Sequence, residues 1–153
     1  MVEVRRSIIV DASLDEVWAV LRDFNGHEHW HPIVASSAIE DDIDADRVGA
    51  VRNFRLADGG RIREQLLALS DVDKSFRYCI IEAPVLLRNY VAHVRLRRVT
   101  ENDTCLWEWS ASFDPPPAEK ERLKRFVITL GSHGIAAYVF QLQNIVTRLR
   151  RRS

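Results

Sequence analysis

Between residues 33 and 113 the chain repeats one pattern: short runs of alternating apolar and polar residues, each closed by turn-forming residues. A period of two puts the apolar side chains on one face of a strand, and runs so closely spaced pair most simply as an antiparallel meander. The runs cover residues 33–39, 50–56, 61–69, 76–81, 89–99 and 104–113, and residues 2–10 supply a seventh at the start. Helical spacing is confined to two places. Ser13-Leu14-Asp15-Glu16 reads as a capping box, and Leu14, Val17, Trp18, Leu21 and Phe24 follow on one helix face until Asn25-Gly26 stops it. Asp114 and the prolines 115–117 then open a helix-prone stretch that runs to about Arg150. At ~1.5 Å per residue such a helix reaches ~50 Å, enough to lie across a whole sheet. Gly131-Ser132-His133-Gly134 interrupts its middle, where glycine invites a bend or a close backbone approach.

A chain of 153 residues is expected to form one domain, residues 1–153, large enough for a core without metals or disulfides. Lys and Arg number 22, as do Asp and Glu, so no net field attracts polyanions and nucleic acid is not an expected partner. No apolar run approaches a membrane span, and Glu3, Arg5 and Arg6 break up what a signal peptide would keep apolar; a cytoplasmic location without stable membrane insertion is expected. Cys79 and Cys105 lie in strand-like segments with no C-x-x-C spacing, which favours two buried thiols over a disulfide.

The Ala57-Asp58-Gly59-Gly60 turn joins two of the runs into a hairpin. A two-residue loop would mix polar and apolar residues on both faces. A three-residue loop with Gly60 left-handed pairs Leu56 with Ile62 and Phe54 with Glu64. Arg52, Phe54, Leu56, Ile62, Glu64 and Leu66 then share a face, which leaves Arg52 and Glu64 as charges among apolar residues. By the same alternation Phe76, Tyr78 and Ile80 face one way, as do Tyr90, Ala92, Val94 and Leu96, and Cys105, Trp107, Trp109, Ala111 and Phe113.

Several short patterns together resemble a known family. They are Val17-Trp18 with Asp23-Phe24, Trp30-His31-Pro32, Gly49 with Val51-Arg52, Asp58-Gly59, Glu64-x-Leu66, Pro84 before Asn89-Tyr90, Trp109 with Phe113, and the 142–149 segment. In this order they are similar to the START and birch-pollen-allergen (SRPBCC) superfamily, in its polyketide cyclase/dehydrase and lipid-transport branch. The resemblance implies an α+β helix-grip fold: a curved seven-stranded antiparallel sheet around a long C-terminal helix, with short helices after the first strand. It also implies a deep apolar cavity between sheet and helix. Aromatic-lined concavities with a few converging polar groups are the usual small-molecule sites.

The residues expected to line such a site are Trp30 and Pro32 at its mouth, Phe54, Tyr78 and Tyr90 on the sheet, and Trp107 with Trp109. Buried tyrosine and tryptophan need polar partners that an oily interior does not offer. Arg52 and Glu64 could form an ion pair in the cavity wall, Arg52 orienting a ligand carbonyl or phenolate and Glu64 serving as acceptor or general base. A structural pair at the sheet margin, or two solvent-exposed charges, is the competing reading. His133 either faces the cavity as a donor or acid, or is a satisfied structural histidine. His27, Glu28, His29 and His31 look like a metal cluster, but neither a helix nor a strand aligns all of them; no metal or other cofactor is expected, and a wet loop at the mouth is favoured. Arg148, Arg150, Arg151 and Arg152 suit a helix C-terminus followed by a frayed tail, with contact to an anionic membrane or acidic partner as the alternative. Gly131-Ser132-His133-Gly134 lacks the strand that a nucleophile elbow needs.

The expected function is binding of a small hydrophobic or aromatic molecule, lipid- or polyketide-like, in an internal cavity. The alternative is a polyketide cyclase, aromatase or dehydratase in which Glu64 and His133 transfer protons. A module that binds a chaperone has no support beyond the fold. The sequence leaves catalytic residues, ligand identity and oligomeric state open.

Overall fold

The computed structural model describes residues 1–29, 31, 33–128 and 135–152, the side chains of Glu28 and of residues 135–143 excepted. Seven strands follow one another along the chain: β1 (Val2–Val10), β2 (Val34–Ile39), β3 (Val51–Leu56), β4 (Arg61–Ser70), β5 (Ser75–Glu82), β6 (Arg88–Val99) and β7 (Thr104–Asp114). They form one open antiparallel sheet in the order β1-β7-β6-β5-β4-β3-β2, so β2 to β7 is a simple meander and the first strand returns to pair with the last. The period-two pattern explains the burial: from Cys105 to Phe113 every second residue of β7 is buried.

Helix α1 (Leu14–Leu21) starts where Ser13 Oγ accepts from the Glu16 amide at 3.3 Å. It turns Val17, Trp18 and Leu21 onto the sheet. Trp18 Nε1 donates to Asp71 Oδ1 at 2.8 Å, which anchors the buried indole to the turn between β4 and β5. The inward faces of β1, β4, β5, β6 and β7 join α1 in a single core, to which Leu123, Val127 and Val146 add the C-terminal helices. Val34, Phe54 and Ile62 form a smaller cluster at the β2–β3–β4 end.

One expectation changes. The hairpin between β3 and β4 does have a three-residue loop, but it lies one residue earlier, at Ala57-Asp58-Gly59. Gly59 is the left-handed residue (φ 94°), and Leu56 N bonds to Gly60 O at 2.8 Å. Asp58 Oδ1 accepts from the Gly60 amide at 2.9 Å, an Asx turn that favours this loop. Phe54 therefore pairs with Ile62 and Arg52 with Glu64, two positions from the expected pairing and with every side chain on the expected face. At the C-terminus, the helix-prone stretch holds a Pro117–Glu119 turn, α2 (Lys120–Ile128) and α3 (Ile135–Arg152), so one long helix is not shown; residues 129–134, which include the expected interruption at Gly131-Ser132-His133-Gly134, lie outside the described residues. Arg150 of α3 pairs with Glu16 of α1.

Both cysteines are free thiols; Cys105 is buried and Cys79, on the outer face, is only half-buried. Burial pushes the Cys105 thiol up to about 11. Among the described residues no helix is long and apolar enough to cross a membrane.

The register of β4 gives a direct test. Leu66 is fully buried, whereas its neighbour Leu67, beside a register shift, is 40 % exposed. Chemical denaturation should show a loss of ~2–5 kcal/mol for Leu66→Ala and under ~1 kcal/mol for Leu67→Ala. Equal losses would mean that the strand is wrongly registered.

Candidate ligand-binding site

Arg52 and Glu64 stand directly opposite one another on β3 and β4, and both are almost completely buried (6 % and 5 % exposed). Arg52 Nε and Nη2 reach the same Glu64 oxygen at 3.2 and 3.1 Å. Its Nη1 donates to the Phe24 carbonyl at 2.8 Å, at the point where the chain leaves α1. The guanidinium carbon lies 4.0 Å from the centre of the Phe24 ring and 4.9 Å from that of Tyr78, so aromatic faces surround a charge that arginine cannot shed. This is the pair of the cavity wall, and the exposed alternative is excluded. Burial pushes the Glu64 carboxyl above the usual carboxylate range, and the charge and hydrogen bonds of Arg52 oppose that shift.

Around the pair lies a cavity of about 100 Å³. Of the residues expected from sequence, Arg52, Phe54, Glu64, Tyr78, Tyr90, Trp107 and Trp109 line it. Trp109 Nε1 donates to the Tyr78 hydroxyl over a long 3.4 Å. Burial raises both phenols, Tyr78 to about 12 and Tyr90 well above its ordinary value, so each remains a neutral hydroxyl at physiological pH. Trp30, Pro32 and His133 lie outside the described residues.

The loop after α1 departs from the expected wet mouth. Residues Gly26–His29 make a 3-10 turn, closed by the His31 amide bonding to His27 O at 2.7 Å. A Cβ on Gly26 would meet the exposed Asp23 side chain at 2.8 Å from its Oδ2, so a larger residue here would push that carboxylate aside. The turn carries the buried face of α1 onward at three-residue steps, from Leu21 to Phe24 to His27. His27 is 3 % exposed, and its ring meets that of Phe54 edge to face at 4.6 Å. Neither ring nitrogen of His27 has a hydrogen-bond partner among the described residues. His31 also lines the cavity, while His29 is exposed. Burial first, and then the charge of Arg52, lower both cavity histidines, His31 to about 3 and His27 further, so both are neutral near pH 7. Among the described residues no group of three or more His, Cys, Asp or Glu side chains comes together as a metal site.

The sheet and its helices have counterparts among known proteins. Residues 1–150 match the model of the family described as polyketide cyclase / dehydrase and lipid transport. The chain belongs to this family. Two bacterial structures are similar over nearly their whole length. A putative uncharacterized protein from Bacillus thuringiensis is 28 % identical (TM-score 0.82, covering 92 % of this chain and 98 % of that one). The protein XoxI from Bacillus cereus is 29 % identical (TM-score 0.78, 98 % and 99 %). A more distant member of the same fold is norcoclaurine synthase from Thalictrum flavum, solved with dopamine and hydroxybenzaldehyde. It is 16 % identical (TM-score 0.75, 96 % and 87 %), a likeness of fold alone. No curated protein matches the chain.

In this member of the cyclase/dehydrase and lipid-transport family, the buried pair predicts a non-additive mutant cycle. Glu64→Gln leaves Arg52 charged and uncompensated and should lose ~3–5 kcal/mol, and a double variant that also removes the Arg52 charge should recover much of it, both read by denaturant unfolding. A loss below ~1 kcal/mol would mean that the pair is wet.

His27 predicts a pH effect. The folded state keeps it neutral while the unfolded chain protonates it below about pH 6.5, so the unfolded state binds more protons as pH falls and stability falls with it. Above pH 6.5 the contribution is fully present. Between pH 6.5 and 5 the wild type should lose stability more steeply than His27→Phe, the two slopes differing by up to ~1.4 kcal/mol per pH unit. Parallel slopes would contradict a buried neutral His27.

Proposed function

We propose that the protein binds a small hydrophobic or aromatic molecule in the internal cavity, whose described lining comes from the sheet, the end of α1 and the segment after it; the C-terminal helix is the expected cover. One observation carries this reading: an apolar, aromatic-lined cavity whose wall holds the Arg52–Glu64 pair, with Tyr78, Tyr90 and His27 beside it. A protein gains nothing in stability from such a mixture when oily side chains would fill the space, so a polar centre inside an apolar cavity suits recognition. Membership of a family described by cyclase, dehydrase and lipid-transport activities supports the same reading.

A second reading follows from the raised Glu64 carboxyl. A carboxyl moved toward neutrality can accept and return a proton, which is what a cyclase, aromatase or dehydratase asks of a general base. In that case the cavity folds a reactive poly-carbonyl chain, and His133 is the remaining acid or base.

Native mass spectrometry of gently purified protein should reveal a co-purifying small molecule, and a panel of apolar, aromatic and acyl-chain compounds should include some that raise the Tm. Turnover of a poly-β-ketone by the wild type and not by Glu64→Gln would favour the enzyme. Absence of any mass shift and of any stabilising compound would end the binding reading.

A further inference from the structure

The cavity contains a buried imidazole that no described residue serves. His27 is 97 % buried by its 3 % exposure, faces the cavity, and has neither ring nitrogen hydrogen-bonded to a described residue. Buried polar atoms in folded proteins are almost always paired, with protein, with water or with a ligand. A neutral imidazole offers one N–H donor and one acceptor, so its complement is a group that can give or take a single hydrogen bond, such as a hydroxyl or a carbonyl.

Charge narrows the class. Arg52 is already engaged by Glu64 and by the Phe24 carbonyl. A ligand carboxylate would enter beside the Glu64 carboxylate with no second cation among the described cavity-lining residues to match it, and a ligand ammonium would face Arg52 itself. His27 cannot compensate by taking a proton in a buried site next to a guanidinium. The occupant that leaves every charge balanced is neutral.

Size sets an upper limit. The cavity is about 100 Å³, smaller than the apolar cavity of ~150 Å³ that holds benzene in another protein. A single ring, entered with a small outward shift of the lining, is therefore the largest occupant it suits, and a long acyl chain or a fused polycycle exceeds the space. The wall that such a ring would touch is aromatic: Phe54, which already holds His27 edge to face, with Phe76 and Tyr78 stacked nearby.

Resting on the binding reading above, we infer that the cavity takes a neutral single-ring compound whose hydroxyl or carbonyl oxygen hydrogen-bonds to His27. The histidine then sets specificity at one end while the aromatic wall supplies affinity for the ring.

Four probes test this by NMR titration of the full-length protein at pH 7: phenol, toluene as the same shape without the oxygen, benzoate as the charged analogue, and palmitate as the acyl chain. Phenol should bind at least about tenfold more tightly than toluene, the worth of a hydrogen bond to a group otherwise left unpaired. His27→Phe should abolish that preference while toluene binding persists. In the unmodified protein the imidazole nitrogen resonances of His27 should shift with phenol, saturating at the same concentration as the backbone signals, and should not shift with toluene; this readout holds even if the variant folds poorly. Equal affinity for phenol and toluene would overturn the inference by showing that the imidazole gains nothing from the ligand oxygen, and a preference that survives in His27→Phe would overturn it by showing that another group binds that oxygen. Tighter binding of benzoate or palmitate than of phenol would overturn the ligand class and leave the cavity-binding reading intact. Failure of all four to bind, together with no stabilising compound in the wider panel, would remove both.

Discussion

The guanidinium of Arg52 organises the polar part of the cavity. It cannot lose its charge, so its surroundings must accommodate one. Glu64 answers from the neighbouring strand, the Phe24 carbonyl answers from the end of α1, and aromatic rings cover what remains. The same charge helps to keep His27 and His31 unprotonated and works against the burial that raises Tyr78 and Tyr90. One side chain therefore joins β3, β4 and the helical segment mechanically and sets the protonation of the cavity electrically. Burying such a pair is a poor route to stability, since desolvation consumes most of the Coulombic gain. Its value lies in fixing where the polar part of the cavity stands.

Strand faces were legible because alternation encodes parity. The β3–β4 loop shows how robust that code is: the left-handed residue is Gly59 instead of Gly60, yet the resulting pairing differs by two positions, and a shift of two returns every side chain to the same face. Arg52 and Glu64 consequently appear where the alternation places them, closer than expected, as direct partners. The aromatic faces of β5, β6 and β7 follow the same logic, and with Phe54 they supply the cavity-lining residues that could be read in advance.

His27 was not legible, because nothing in a strand code describes a loop. Its burial depends on the 3-10 turn that starts at Gly26, and the pattern that could have revealed it is the three-residue step Leu21, Phe24, His27, which continues the apolar face beyond the end of α1. Individual side chains are read well where a ladder fixes them and poorly where a turn does.

The pairing of the first strand with the last has a consequence for biogenesis. Every other ladder in the sheet joins strands that are neighbours in sequence, but Val2 meets Phe113 and Val10 meets Cys105. As the chain emerges from the ribosome, β1 has no strand partner until β7 has been made, and its inward valines must wait uncovered while the meander assembles. Closure of this long-range ladder is the step with the largest loop-closure entropy, which places it late in folding. A chain stalled before residue 104 would expose the edge of β6 and an unpaired β1 together, the kind of half-formed surface that chaperones and proteases survey.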